Sequence, residues 1–533
     1  MKSLYFFLLL LSLSSCAVVK DVNTFREIAN QDITRKVTIK TDLDFQGSDL
    51  VLRKGITIDF KGGSISNCNV SFDSVIVKGK PCFKNCNYNG SIVLNIIDDR
   101  DFTSLDDMGT LKFLMYNAII NGAKCDIYRD YFINMNEVSE AGLLSIDGLD
   151  SGADIYFHNN TIYNSTAFLK TTIKPVFVFK NVKNVTLRNC SFCDTKEHNS
   201  HQFNHSSGCT FIHCFGDCEA INLLNCKQEN GDCFLRSGVY THNNKYYDYT
   251  PSKGLSYSSL QIESHNTGYG LALYCGNHLD IDINVNSPHR GFYCAGVSNS
   301  SIKYKGYNPK ETKCHILLKD AVYRRFDEDV EEVLDMMGCH NLNINICLDE
   351  VLPNESLVDF SSYGSGKKEG ADFTFRTDKC HHSGIDISAE INHTPEAGYF
   401  FISRFLSYGG LDDEGEKYGC KVTGIRLHDI ICKDGESRPY MCKIDAGIEG
   451  DIVVEDCQVT THNQEIGYGY DFIVKGNSRG KITINNTLVG NVLVRDKKVG
   501  VFDVEVKGKP MKRSLNYLND NSSRSLVHLK NIQ

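Results

Sequence analysis

Residues 201–293 gather the side chains best suited to chemistry. Asp217, Glu219 and Asp232 are three carboxylates on or beside successive short strands, and Arg236, His242, His265, Tyr274, His289 and Arg290 follow. Hydrolysis of a glycosidic bond needs two carboxyl groups, one protonated as acid and one ionised as base or nucleophile. β-Elimination from a uronate instead needs a base and a cation or Arg that neutralises the sugar carboxylate. Asp232, Asp217 and Glu219 are thus the expected catalytic residues. Arg236, Tyr274, Arg290 and His289 are the expected substrate contacts. Each has a plainer reading: Asp232 as a turn residue, Glu219 as a solvent-facing strand residue. His201 and His205 fit a polar loop, and His213 a turn.

Composition narrows the classes. The chain has 533 residues, 41% hydrophobic and 23% charged, so it can bury a large core. A formal charge of −9 excludes nucleic-acid binding driven by global charge, and no nucleic-acid partner is expected. Trp is absent while Tyr numbers 26 and Phe 29, so an aromatic sugar platform must use Tyr or Phe. No P-loop, dinucleotide fingerprint, nucleophile elbow or zinc-protease motif occurs. The basic stretch Lys303, Lys305, Lys310, Lys313, Lys319, Arg324 and Arg325 reads first as a solvated face, and second as a holder of an anionic glycan. Asn-Cys and His-Cys pairs recur (Asn189-Cys190, Asn225-Cys226, His213-Cys214). They read as small buried thiols stacked in a repeat core. The competing metal site, Cys190, Cys193, Cys209 and His213, lacks the spacing of a zinc ribbon or finger. No metal or cofactor is expected, with calcium admitted only for a lyase.

The elements that must position these residues are short strands. Alternating runs such as Leu279-Asp280-Ile281-Asp282-Ile283 and Leu342-Asn343-Ile344-Asn345-Ile346 recur through most of the chain and end at Asn, Cys or Gly. Asn tolerates left-handed corners and stacks in ladders. The runs beginning at Cys233, Leu271 and Gly291 can be overlaid. That puts Arg236 and Tyr274 in one column, and Asp232, Gly270 and Arg290 in another, with Gly270 leaving room for a sugar ring or making a tight corner. A coil of this kind predicts an all-β chain, a parallel β-helix or solenoid. Two helices are expected as interruptions. One places Leu111, Leu114, Met115, Ala118 and Ile119 on a face, and the other Phe326, Val330, Val333, Leu334 and Met337.

The order Asp106-Asp107, amphipathic segment, Gly122, Cys125-Asp126-Ile127-Tyr128 and Tyr131-Phe132-Ile133 resembles the start of pectate-lyase-like right-handed parallel β-helices. That superfamily includes polygalacturonases and phage tailspikes. The resemblance implies an N-terminal capping helix at the paired Asp. Gly231-Asp232-Cys233-Phe234-Leu235-Arg236-Ser237-Gly238 resembles a polygalacturonase active-site rung, with one Asp of a pair missing. Gly268-Tyr269-Gly270-Leu271-Ala272-Leu273 resembles their later Gly-His-Gly rung, with Tyr269 in place of His. The likeness in fold covers roughly residues 99–510 and the motif likeness far less.

At the start of the chain, Lys2 precedes the apolar run Leu4–Leu11, too short to span a bilayer and shaped like a signal peptide. It ends in Leu13-Ser14-Ser15-Cys16, which resembles a bacterial lipobox whose Cys becomes the lipidated first residue of the mature chain. The expected organisation is a signal peptide over 1–16, a tether over 17–29, a smaller preceding β-coil region over 30–98, the main β-helix over 99–510 and a polar tail over 511–533. A cell-envelope location follows, outer membrane favoured, with the lipid anchor as the sole membrane contact. The expected function is glycoside hydrolysis of a polysaccharide partner. The alternatives are a polysaccharide lyase and a non-catalytic glycan-binding, adhesive or structural β-helix.

Overall fold

The computed structural model describes strands and one helix between residues 16 and 532. Side chains are described over most of 17–69, 82–86, 177–192, 210–237, 254–307 and 338–349, and at 316–318, 383–390 and 424–429. The chain is mostly β, with the parallel, β-helix-like pairing that the alternating runs predict. It divides into two units, residues 1–245 with 253–266, and residues 246–252 with 267–533.

In the first unit one ladder stacks Cys16–Val19, Lys36–Ile39, Thr57–Phe60, Val75–Gly79 and Leu94–Ile97 in parallel register. It continues through Leu144–Asp147, Phe177–Lys180, Thr210–Phe215 and Cys233–Ser237. The ladder therefore pairs strands from both sides of residue 98. A second ladder reaches Lys183–Arg188 and Cys218–Glu229, and Cys218–Glu229 then pairs with Ser259–His265. Inside, Phe177, Phe192 and Phe234 meet edge to face, with centroids 5.7 Å and 5.1 Å apart. Phe211 packs against Phe192 at 4.9 Å. Large rings pack together between strands of the ladder.

In the second unit the strand Asp280–Asn286 exposes Asp280, Asp282 and Asn284 and buries Ile281, Ile283 and Val285. Parallel register carries the buried column from Ile281 to Ile302, Ile344, Ile387 and Leu427. All five are fully buried. Each such aliphatic side chain contributes about 1.5–3 kcal/mol by leaving water.

Corners explain the Asn-rich sequence. Asn299 and Asn341 both adopt φ 50°, and the next coils place Gly384 (φ 63°) and Gly424 (φ 64°) in the same column. Asn341 Nδ2 donates to Asn299 Oδ1 at 3.1 Å, and Asn299 Nδ2 to Asn277 Oδ1 at 2.8 Å. In the first unit Asn85 donates to Asn67 at 3.1 Å, Asn67 to Asp44 at 2.9 Å, and Asn225 to Asn189 at 2.9 Å. The residue after the corner turns inward as a thiol or hydroxyl. Cys86, Cys190 and Cys226 each lie within sulfur hydrogen-bond distance of the carbonyl two residues earlier, and Ser258 and Ser300 repeat this. The Asn-Cys dipeptides are thus corner units, and their thiols stack: Cys68 Sγ lies 3.3 Å from Cys86 Sγ.

The structure differs from the sequence reading in several places. The segments expected to form two helices are strands. Leu111–Tyr116 and Ile119–Ala123 each pair with strands on both sides, so no capping helix forms there. Ala321–Asp327 and Val330–Met337 form an antiparallel hairpin. Short apolar runs fit either period, and ladder partners decide. The helix that does form, α1, spans Val22–Ala29, inside the expected tether. Asp21 caps it, accepting from Thr24 N and Thr24 Oγ1, both at 2.8 Å. α1 buries Phe25 and Ala29, one turn apart, and Phe25 meets Phe45 edge to face at 5.9 Å. Within the expected polar tail, Asn516–Asn519 and Leu526–Ile532 extend two ladders.

Candidate functional site

The sequence-predicted residues are described only in part. Asp232 and His289 lie outside the described residues, and Arg290 is described in its backbone alone. Asp217 is exposed in the bend before Cys218. Glu219 is tied across the ladder to Lys183, Oε2 to Nζ 3.0 Å, as a solvent-facing pair. Arg236 is half-buried and stands in register with buried His213. Tyr274 lies tilted against Tyr293 with centroids 4.8 Å apart, and Tyr269 meets Tyr293 edge to face at 6.2 Å.

The overlay of the Leu271 and Gly291 runs is off by one residue. Leu271 pairs with Phe292 and Tyr269 with Arg290, so Arg290 shares its column with Tyr269 rather than Gly270. Nor does Gly270 make room for a ligand. A Cβ there would stand 2.6 Å from Ile283 Cδ1 and 3.0 Å from Val285 Cγ2. The glycine admits the core aliphatics, which a side chain would displace.

A different cluster converges on the outward face of the first unit. The strand Cys218–Glu229 ends in Lys227-Gln228-Glu229, and Ser259–His265 ends in Glu263-Ser264-His265. Parallel register sets Lys227 beside Glu263 and Glu229 beside His265, while buried Gln228 and Ser264 bond each other inside at 3.2 Å. Alternation then turns all four charged groups outward. Lys227 Nζ lies 2.7 Å from Glu263 Oε2, and His265 Nε2 lies 2.9 Å from Glu263 Oε1. His265 Nδ1 faces Glu229 Oε2 at 3.8 Å. The hydrogen bonds from Lys227 and then His265 hold the Glu263 carboxyl below its usual range, against a smaller opposing effect of burial. Glu263 is an ionised carboxylate near neutral pH, with a second carboxylate diagonal to it on the adjacent strand. Diagonal neighbours across paired strands stand ~7–8 Å apart, their Cβ atoms somewhat closer.

In the second unit the outward columns carry Asp280, Asp282, Lys303, Lys305, Asn343, Asn345, Asp386 and Ser388. His428 Nε2 lies 2.6 Å from Asp386 Oδ1, and His428 Nδ1 lies 2.7 Å from Asp429 Oδ2. Asp429 has φ 48° at a register shift, so a bulge turns its carboxylate onto the imidazole.

Among the described residues no group of three or more His, Cys, Asp or Glu is placed to hold a metal ion, and no helix is long and apolar enough to cross a membrane. Cys190 lies against Cys226, Cys214 against Cys218, and Cys294 against Cys339, each within its own unit; hydrogen bonding to the partner thiol and burial push Cys226 and Cys214 up, and burial foremost pushes Cys294 up. Cys193 and Cys209, half of the competing metal set, have no described side chains. No protein-family model matches the chain, and no curated protein matches it significantly.

Proposed function

We propose that this chain is an exported, lipid-anchored right-handed parallel β-helix of the cell envelope, resembling the pectate-lyase-like superfamily, that acts on polysaccharide as a glycoside hydrolase. The observation that carries the reading is the pairing of Glu263 and Glu229 around His265 on adjacent strands of an outward face. A long polymer can lie along such a face, crossing successive coils. Glu263, kept ionised by Lys227 and His265, supplies the base. Glu229 supplies the acid. On this reading the two carboxyls act in the inverting manner, which needs a separation of ~6.5–9.5 Å with a water between and so requires the His265 imidazole to give way to substrate. The site needs no cofactor.

A second reading is favoured by the same contacts. Glu263, Glu229 and Glu219 already face cationic or imidazole partners on neighbouring strands, as structural ion pairs do. On that reading the protein holds glycan without cleaving it. Reducing-end release from a panel of neutral and uronate polysaccharides, with 232 nm absorbance read in parallel, separates these readings. New ends without absorbance support the hydrolase. Absorbing ends make the protein a lyase, and calcium then becomes the cation to test. Retention of glycan without new ends supports the binder.

A further inference from the structure

The lipobox Cys is part of the fold. Cys16–Val19 is a β-strand in full parallel register with Lys36–Ile39, Cys16 itself standing opposite Lys36. Val19 is fully buried, and α1 begins at Val22 and packs against these first strands and Leu43–Leu52. Three bonded residues therefore join the proposed lipid-bearing residue to the hydrophobic core. A flexible tether of the expected length, residues 17–29, would let the body drift well away from the bilayer. Here that stretch is strand, capped turn and helix.

The surface beside the anchor fits a bilayer. Val18 is 49% exposed, an apolar side chain next to the acyl attachment. Val19 pairs with Ile39, and Thr41 Oγ1 donates to the Lys20 carbonyl at 3.3 Å. That sets Lys20 and Lys40, both exposed, at one corner of successive coils. Apolar contact beside paired lysines matches acyl chain and phosphate in sequence.

We infer that the first coil rests directly on the membrane surface, its Cys16 edge and the Lys20–Lys40 corner against phospholipid headgroups. This rests on the lipid-anchor part of the proposed function. The natural absence of Trp makes the test direct, because Val18→Trp and Tyr257→Trp each carry one indole. Tyr257 is 59% exposed and serves as the reporter away from the anchor within the same unit, following Leu255–Ser256, which pairs with Cys218–Glu229 many strands along from Cys16.

Each lipidated full-length variant is placed in vesicles of phosphatidylethanolamine and phosphatidylglycerol, with and without lipids brominated high on the acyl chain. The expected result is quenching of Val18→Trp by about twofold, with little change at Tyr257→Trp, since interfacial groups sit ~5–10 Å into the headgroup boundary. A flexible insert of about ten Gly and Ser residues after Cys16 should abolish the quenching while vesicle flotation persists. Equal quenching of both reporters in floating protein would overturn the inference and leave the anchor intact. Chain that takes up no labelled fatty acid and does not float would overturn the anchor reading, and the inference with it.

Discussion

His265 Nε2 meets Glu263 Oε1 at 2.9 Å, although one residue separates them in the strand. Alternation sends both side chains out on the same face, so the imidazole is fixed by its own strand and presents Nδ1 to Glu229 on the strand below. In the proposed hydrolase this contact orients the site and keeps Glu263 charged. Glu263→Gln should lower turnover by at least about 100-fold, the range of a lost general acid or base. Retention of the polysaccharide on the variant separates a catalytic loss from a binding loss.

The pH profile follows from the same contacts. Lys227 and His265 lower the Glu263 pKa, so its ionised form, and any activity that needs it, persists below the ordinary Glu value of about 4.3. A depressed carboxylate pKa means that stability from these contacts is present above the unfolded value and is lost as pH falls through the folded one. Lys227→Met should move the acid limb of the rate profile upward, toward the ordinary value. Steady-state rates between pH 3 and 7 check this, and an unmoved limb would remove Glu263 as the base.

Gly270→Ala distinguishes a core glycine from a glycine lining a sugar site. The added Cβ would meet Ile283 Cδ1 at 2.6 Å. Overpacking of this kind costs about 1–3 kcal/mol, read as a lower denaturant midpoint. Glycan retention by the folded fraction should not change.

The corner ladder makes a separate prediction. Asn341 has φ 50° and donates to Asn299. Asn341→Ala loses the amide bond and keeps a Cβ in left-handed backbone without the short polar side chain that makes it tolerable, for an expected loss of about 1–2 kcal/mol. Asn341→Gly keeps the backbone and loses only the ladder, so its loss should be smaller. Denaturant unfolding of the two variants measures the difference.

The stacked thiols should be inert in the folded chain. Hydrogen bonding and burial push Cys68, Cys214 and Cys226 up, and burial leads at Cys294. They should resist iodoacetamide at pH 8.5 until the protein is denatured, as peptide mapping would show. The folded chain holds these protons above the unfolded thiol pKa of about 8.5, so stability should fall as pH rises beyond that value.

Much of the parallel strand pattern was legible because alternation and corner chemistry are local. The run Leu279-Asp280-Ile281-Asp282-Ile283 announces its buried column, and Asn-Cys pairs announce left-handed corners. Register was less legible. Gly-rich runs around Leu271 and Gly291 look alike at two offsets, and packing of Gly270 against Ile283 and Val285 accompanies the one observed. The cluster at Lys227, Glu229, Glu263 and His265 was missed, apart from His265 itself, because its two halves are far apart in the chain. The available signal was opposite charge at matching alternate positions after Cys226 and Ile262. The strands at Leu111–Tyr116 and Val330–Met337 were misread as helices because their apolar residues also fall at helical spacing, and long-range pairing overrode it.

The most direct test of the account is the anomeric configuration of the sugar released from a cleaved polysaccharide, followed by proton NMR from the first minutes of reaction. The diagonal carboxylates Glu229 and Glu263 predict a product of inverted configuration, with cleavage abolished in Glu263→Gln. A retained configuration, or cleavage undiminished in that variant, would contradict the assignment of this pair.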